Sequence, residues 1–370
     1  MAYQNAPRYK SNNMKYLFCL TLSILIPFCV LARPVKPSGP IFFKADNPNI
    51  KYIGRVDFSN PLAPRFWNPG VYVKAKFKGT SLSITINDET LYGVTHNYIE
   101  VAIDNDKPFR IATTGKTSIL QVASNLAPGV HTVVICKDTE SGIGYIEFVG
   151  MQCDELLPLN HQKRKIEFIG DSITCGSGID LSVSDCNKGN WYDQHNAYMS
   201  YGPTTARLLN AEWQLTSVSG IGLIHSCCDL KITLPQVFDK VDLRADSIQW
   251  NFSKYTPDVV TICLGQNDGN QDSVVFCSAY VKLIMQIRSH YPKADIVCLN
   301  SPMANAELTA LLIKYITGIQ QYMNDSGDKR VSHFFFTGGY NDCCGSHPSM
   351  AQHQIIAQQL AGYLKELKSW

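Results

Sequence analysis

No long block of like charge occurs in the chain. Nothing exceeds the group Lys163-Arg164-Lys165, which reads as a solvated loop before a strand. The 33 Lys and Arg residues nearly balance the 31 Asp and Glu residues, for a net charge of +2. That balance argues against a nucleic-acid binder and against an acidic, solvating protein. No internal repeat of fixed period and no low-complexity tract is found. No C-x-x-C and no His-rich ligand spacing is found either, so a zinc site is not expected. Past residue 32 no apolar run approaches the roughly 20 residues that a membrane span requires. No long apolar segment suggests a lipase lid.

What is present is a chain of 370 residues, 45% hydrophobic and 17% charged. That length suits two or three domains with real cores, and the composition argues against disorder. An apolar stretch runs from Leu17 to Ala32 behind Met14-Lys15, and ends Val30-Leu31-Ala32 before Arg33-Pro34. It is short for a span and reads as a secretory signal peptide over 1–32, with Met14 as a candidate true start. An uncleaved anchor is the alternative. The expected location is secreted or periplasmic, with no membrane span in the mature chain. Of 13 cysteines, Cys19 and Cys29 lie in the signal. The odd number left implies at least one free thiol in a monomer, the expected state. Export allows disulfides. Candidate pairs are Cys227-Cys228, Cys343-Cys344 and Cys136 with Cys153.

Two halves follow different patterns. From Gly39 to about Cys153, short runs alternate apolar and polar residues: Val71 to Phe77, Leu82 to Ile86, Tyr98 to Ile103, Thr132 to Cys136. Turns such as Lys78-Gly79-Thr80 and Pro128-Gly129 separate them. Such spacing predicts an all-β sandwich, plausibly a jelly roll. From Lys165 onward, strand-like runs (Ile166 to Ile169, Gln214 to Val218, Val259 to Leu264, Ile296 to Leu299, His333 to Phe336) alternate with helical stretches (Ala197 to Leu209, Ala279 to His290, Ala304 to Met323, Pro348 to Leu367). This βα alternation predicts a parallel sheet covered on both faces, with its site at the carboxyl ends of the strands. The expected layout is a linker over 33–48, a β-sandwich over 49–157 and an α/β domain over 158–370.

Reactive groups sit at the predicted strand exits. Gly170-Asp171-Ser172 follows the first strand, Ser219-Gly220 the second, and Gly265-Gln266-Asn267-Asp268 the third. Ser346-His347-Pro348 opens the last helix, with Pro348 suited to its first position. A Ser hydroxyl is a weak nucleophile until a base takes its proton, and His347 is the candidate base. The backbone N–H groups of Ser172 and Gly220 and the side-chain amide of Asn267 could donate to an oxyanion. Losing one such donor typically costs roughly 3–4 kcal/mol of transition-state stabilisation. Taken singly, each motif also has a plain structural reading. Asp171 could simply cap a helix, Gly220 could serve a tight turn, and Asn267 and Asp268 could brace a loop. Trp191, Tyr192 and Trp67 could stack on sugar or merely pack.

These ordered blocks resemble the motifs of SGNH hydrolases. The segments Gly54 to Ser59, Ala63 to Phe66 and Trp67 to Gly70, with Gly170 to Gly176, Asn196 to Gly202 and Pro257 to Val260, resemble carbohydrate esterase family two across nearly all of Ile53 to Leu364. The resemblance implies a flavodoxin-like sheet of five parallel strands behind a β-domain. It implies removal of O-acetyl groups from acetylated oligo- or polysaccharide, often at the 6-hydroxyl of hexose units in plant cell-wall polymers. Ser172 is then nucleophile, His347 general base, and Ser172, Gly220 and Asn267 the oxyanion hole. No metal or organic cofactor is implied. The chain departs from the pattern twice. Cys344 stands where these enzymes commonly have Asp, so a backbone carbonyl is expected to orient His347, with Asp342 the alternative third member. Gln266 stands where Thr is usual and, with Trp191, is a candidate substrate contact. Two other readings stay open: a carbohydrate-binding protein of this architecture that has lost activity, and an esterase for acetylated bacterial envelope glycan.

Overall fold

The computed structural model describes residues 7–8, 10–11, 39–244 and 248–370. The expected signal segment, with Cys19 and Cys29, lies outside them. The first half folds into β1 (Ile41–Lys44), β2 (Ile50–Ile53), β3 (Arg65–Phe66), β4 (Tyr72–Lys78), β5 (Leu82–Asp88), β6 (Tyr98–Ile103), β7 (Phe109–Ala112), β8 (Thr117–Ala123), β9 (Val130–Lys137), β10 (Ile146–Cys153) and β11 (Glu155–Leu157). Two antiparallel sheets result. One has the order β1-β10-β5-β8, with β3 also on β10; the other has β11-β4-β9-β6-β7, with β2 also on β4. The alternation in the sequence explains the layering. In β5, Leu82, Ile84 and Ile86 are buried, and they meet Val73, Ala75 and Phe77 of β4 in one core. The expected linker is partly strand: β1 pairs with β10, Ile41 opposite Cys153. Its exposed Phe42 gives no alternation strong enough to announce it.

The second half contains β12 (Arg164–Gly170), α1 (Ser172–Cys175), α2 (Tyr201–Leu208), β13 (Ala211–Ser217), α3 (Leu234–Val237), β14 (Val259–Cys263), α4 (Ser273–His290), β15 (Asp295–Leu299), α5 (Ala306–Asp325), β16 (Val331–Phe334) and α6 (Met350–Lys368). Its five strands are all parallel, in the order β13-β12-β14-β15-β16. Helices cover both faces. α4 starts where Asp272 accepts from the N–H groups of Val274 and Val275, and it buries Phe276, Tyr280, Leu283, Ile284 and Ile287 at helical spacing. With α5 it packs on one face. α6, opened by a capping box of Ser349 and Gln352, packs with α2 on the other.

The sandwich and the α/β half share a core. Ile53, Trp67, Tyr72 and Cys136 cluster with Phe168, Tyr201, Trp213 and Leu215. Arg55, fully buried, donates from Nη1 to the carbonyls of Phe238 (2.5 Å) and Lys240 (2.7 Å) and from Nη2 to Glu167 Oε1 (3.1 Å). Among the described residues no helix is long and apolar enough to cross a membrane.

The cysteines correct two expected pairings. Cys227 and Cys228 are joined, but Cys344 pairs with Cys186, not with Cys343. Cys136 and Cys153 are both buried free thiols, one in the shared core and the other in the sandwich core. A partner 158 residues away is a product of tertiary folding, and neighbouring positions in sequence do not reveal it.

Candidate active site

β12 ends at Gly170, and the chain turns at once into α1. Asp171 caps this single turn, its Oδ1 accepting from the N–H of Ile173 at 3.1 Å. Ser172 is the first helical residue, so its N–H has no acceptor within the helix. Its Oγ lies 2.7 Å from His347 Nε2. The other ring nitrogen, Nδ1, lies 2.9 Å from the carbonyl oxygen of Cys344. A carbonyl can only accept, so Nδ1 carries the proton and Nε2 is left free to accept from the Ser172 hydroxyl.

Asp342 is not brought to the imidazole. It is exposed, its N–H donates to Gln352 Oε1 at 3.1 Å, and the Nδ1 position it would need is taken by Cys344. The disulfide to Cys186 and the Cys344 N–H bond to Gly178 O (3.2 Å) fix the Cys344 peptide. Gly178 has a φ of +70°, and a Cβ there would stand 2.8 Å from the Cys344 oxygen. Glycine therefore permits the close approach that aims this carbonyl.

Gly220 follows β13 with a φ of +81°, and an added Cβ would come within 3.1 Å of Cys227 Sγ. Asn267 Nδ2 donates to Ile221 O at 2.9 Å and, over a longer 3.3 Å, to Asp171 Oδ2. Asp268 braces the neighbouring loop, as its carboxylate accepts from the N–H groups of Leu223, Ile224 and His225. Burial, with Asp268 adding to it, pushes the Asp171 carboxyl up to about 7 against the pull of the Ile173 N–H. Gln266 is half-buried and accepts from Ser301 Oγ at 2.6 Å.

A cleft of about 380 Å³ opens beside His347, lined by Gly178, Lys188, Trp191, His195 and Gly345 among others. Trp191 is 57% exposed and packs edge-on against His195. Tyr192 and Trp67 are buried. His195 is buried without a hydrogen-bond partner on either nitrogen, and burial lowers it to about 4, so it is neutral at ordinary pH. Sequence reasoning missed His195. It also missed Glu140, whose buried carboxylate accepts from Ser177 Oγ (2.6 Å) and from the Ser219 N–H (2.7 Å). Glu140 sits in the sandwich, 32 residues before Ser172, with no motif to mark it. Among the described residues, Cys186, Cys343 and Cys344 form a cluster of ligating atoms, but two of the three sulfurs are bonded to each other.

Comparison with known families places these features. Residues 52–160 match the carbohydrate esterase 2 N-terminal model, and residues 168–355 match the GDSL-like lipase/acylhydrolase family. The cellulase/esterase CelE of Acetivibrio thermocellus is 36% identical over 88% of the chain, which spans only 40% of that protein's length. An acetylxylan esterase / glucomannan deacetylase of Cellvibrio japonicus is 26% identical, covering 96% of the chain and 100% of that protein. A family two carbohydrate esterase from Clostridium thermocellum, solved in complex with cellohexaose, superposes with a TM-score of 0.77 at 34% identity, over 87% of this chain and 99% of that one.

Proposed function

The chain belongs to carbohydrate esterase family two and carries a GDSL-like ester hydrolase domain, and we propose on that footing that it removes O-acetyl groups from carbohydrate through a Ser172–His347 dyad. The observation that carries the reading is the 2.7 Å contact between Ser172 Oγ and His347 Nε2, with Nδ1 held by a carbonyl. Ser172 Oγ attacks the acetyl carbonyl carbon while its proton passes to Nε2. The tetrahedral oxyanion accepts from the N–H groups of Ser172 and Gly220 and from Asn267 Nδ2. Collapse breaks the ester bond, and the imidazolium returns the proton to the departing sugar oxygen. Water, deprotonated by His347, then releases acetate from the acetyl-serine. The Cys344 carbonyl fixes the tautomer but stabilises imidazolium less than a carboxylate would.

The substrates after which the relatives are named, xylan and glucomannan, make an acetylated plant polysaccharide the proposed class. The 6-hydroxyl of hexose units is the proposed position. Trp191, exposed at the cleft, offers a face for a sugar ring; Gln266 stays a proposed polar contact through its amide nitrogen, since it does not line that cleft and its Oε1 accepts from Ser301. Export is proposed from the Leu17 to Ala32 stretch.

Acetate release from 4-nitrophenyl acetate and acetylated glucomannan tests the reading, wild type against Ser172→Ala. Hydrolysis of both by wild type, and of neither by the variant, is expected. An inert, folded wild type that still binds the glucomannan would instead make this a carbohydrate-binding protein.

A further inference from the structure

Glu140 belongs to the β-sandwich, in the connection between β9 and β10, yet its carboxylate ends inside the α/β half. Its main chain is pinned from below. The buried Lys137 Nζ donates to the carbonyls of Thr139 (2.6 Å) and Glu140 (3.1 Å). The next residue, Ser141, donates from Oγ to Asn68 Oδ1 at 3.0 Å. From that base the side chain reaches two segments at once. Oε1 accepts from the hydroxyls of Ser177, at 2.6 Å, and Ser219. Oε2 accepts from the Ser219 N–H at 2.7 Å. His195 Nδ1 stands 3.7 Å away.

Both segments bear on the chemistry. Ser177 closes the turn that begins at the nucleophile, its N–H donating to Ser172 O at 3.0 Å. Ser219 immediately precedes Gly220. The N–H groups of Ser172 and Gly220 must converge on one oxygen atom to serve as an oxyanion hole, and a shift of about 1 Å in such a donor can cost on the order of 100-fold in rate. Three charge-assisted hydrogen bonds donated to one buried carboxylate make a stiff tie between the two segments. Burial opposes ionisation of Glu140, but the hydrogen bonds from Ser177 and Ser219 hold the carboxyl below its usual range.

We infer that Glu140 is a positioning residue for the hydrolase centre: the β-sandwich supplies the carboxylate that sets Gly220 against Ser172. This rests on the ester hydrolase reading above and extends it to the sandwich, which becomes part of the catalytic apparatus as well as a neighbour to it. Arg55 provides the contrast. It is a buried guanidinium at the same interface, paired with Glu167, but its acceptors at Phe238 and Lys240 belong to neither donor segment.

The test is kcat and KM for 4-nitrophenyl acetate, with thermal melts, on the full chain carrying Glu140→Ala, Glu140→Gln or Arg55→Met. Assays run well below each variant's melting temperature. Glu140→Ala is expected to lower kcat at least about tenfold with KM within about twofold, because only transition-state contacts are disturbed. Glu140→Gln keeps the shape and one acceptor and is expected to recover part of that loss. Arg55→Met is expected to lower the melting temperature while kcat stays within about twofold. Should Glu140→Ala fail to fold, Glu140→Gln decides alone: a kcat loss of about threefold or more at constant KM supports the inference, and a smaller loss overturns it. Glu140 variants with wild-type kcat, or with losses that merely match those of Arg55→Met, overturn it while the esterase reading stands. A folded wild type without hydrolysis overturns both.

Discussion

At the scale of single residues, His347 is the informative case. Its Nδ1 faces a peptide oxygen where related hydrolases commonly offer a carboxylate. The tautomer is set, but less charge is available to stabilise imidazolium, so in the proposed mechanism more of the rate is assigned to the proposed oxyanion donors. Of these, Asn267 is the one that can be removed without touching backbone. Asn267→Ala is expected to lower kcat on 4-nitrophenyl acetate by roughly 100- to 1,000-fold with little change in KM. Steady-state kinetics on purified variant read this directly, and a loss confined to KM would place Asn267 in ground-state binding instead. Ser172 and His347 could be read from sequence because their signals are local: a serine at a strand exit and a histidine ahead of a helix-opening proline. Glu140 and His195 could not. Nothing in Asp138-Thr139-Glu140-Ser141 distinguishes a buried tie from a solvated turn until the two halves are packed together.

At the scale of elements, the strong periodic segments were legible and the weak ones were not. Tyr98–Ile103 matches its expected run at both ends, and the four long helical stretches appear with shifted ends. Helix α2 begins at Tyr201 instead of Ala197, because Asn196 to Ser200 spend their polar groups on the turn: the Met199 N–H donates to Asn196 Oδ1 at 2.9 Å. Strands β2, β3, β7, β8, β10 and β11 fall outside the expected runs; β7 is only partly buried, so its side chains need not alternate. The Cys186–Cys344 link escaped for a different reason, being long-range. It joins the segment before Trp191 to the segment that holds His347. Cys186→Ser is therefore expected to cost roughly 2–5 kcal/mol of stability, since the bond closes a long loop. It is also expected to lower kcat more than it changes KM, because the Cys344 carbonyl loses an anchor. Chemical denaturation and kinetics on the same sample check both parts; unchanged kcat would show that the Gly178 contact alone suffices to aim the carbonyl.

At the scale of the whole molecule, the sandwich and the α/β half are joined by a shared apolar core, a buried Arg55–Glu167 pair and the Glu140 tie. Such a joint is more than a tether. A buried charge stripped of its partner within the intact fold costs several kcal/mol, so loss of Arg55 would leave Glu167 without its guanidinium. The superposed family two esterase matches this chain over 99% of its own length and 87% of this one. The central claim remains that Ser172 carries the acetyl group between sugar and water. Acid-quenching the full chain during turnover of 4-nitrophenyl acetate, followed by peptide mass spectrometry, addresses it most directly. The account predicts one acetyl adduct on the peptide bearing Ser172, absent from Ser172→Ala, which also fails to hydrolyse the ester. Hydrolysis at the wild-type rate by Ser172→Ala, or turnover with the acetyl group lodged on another residue, would contradict it.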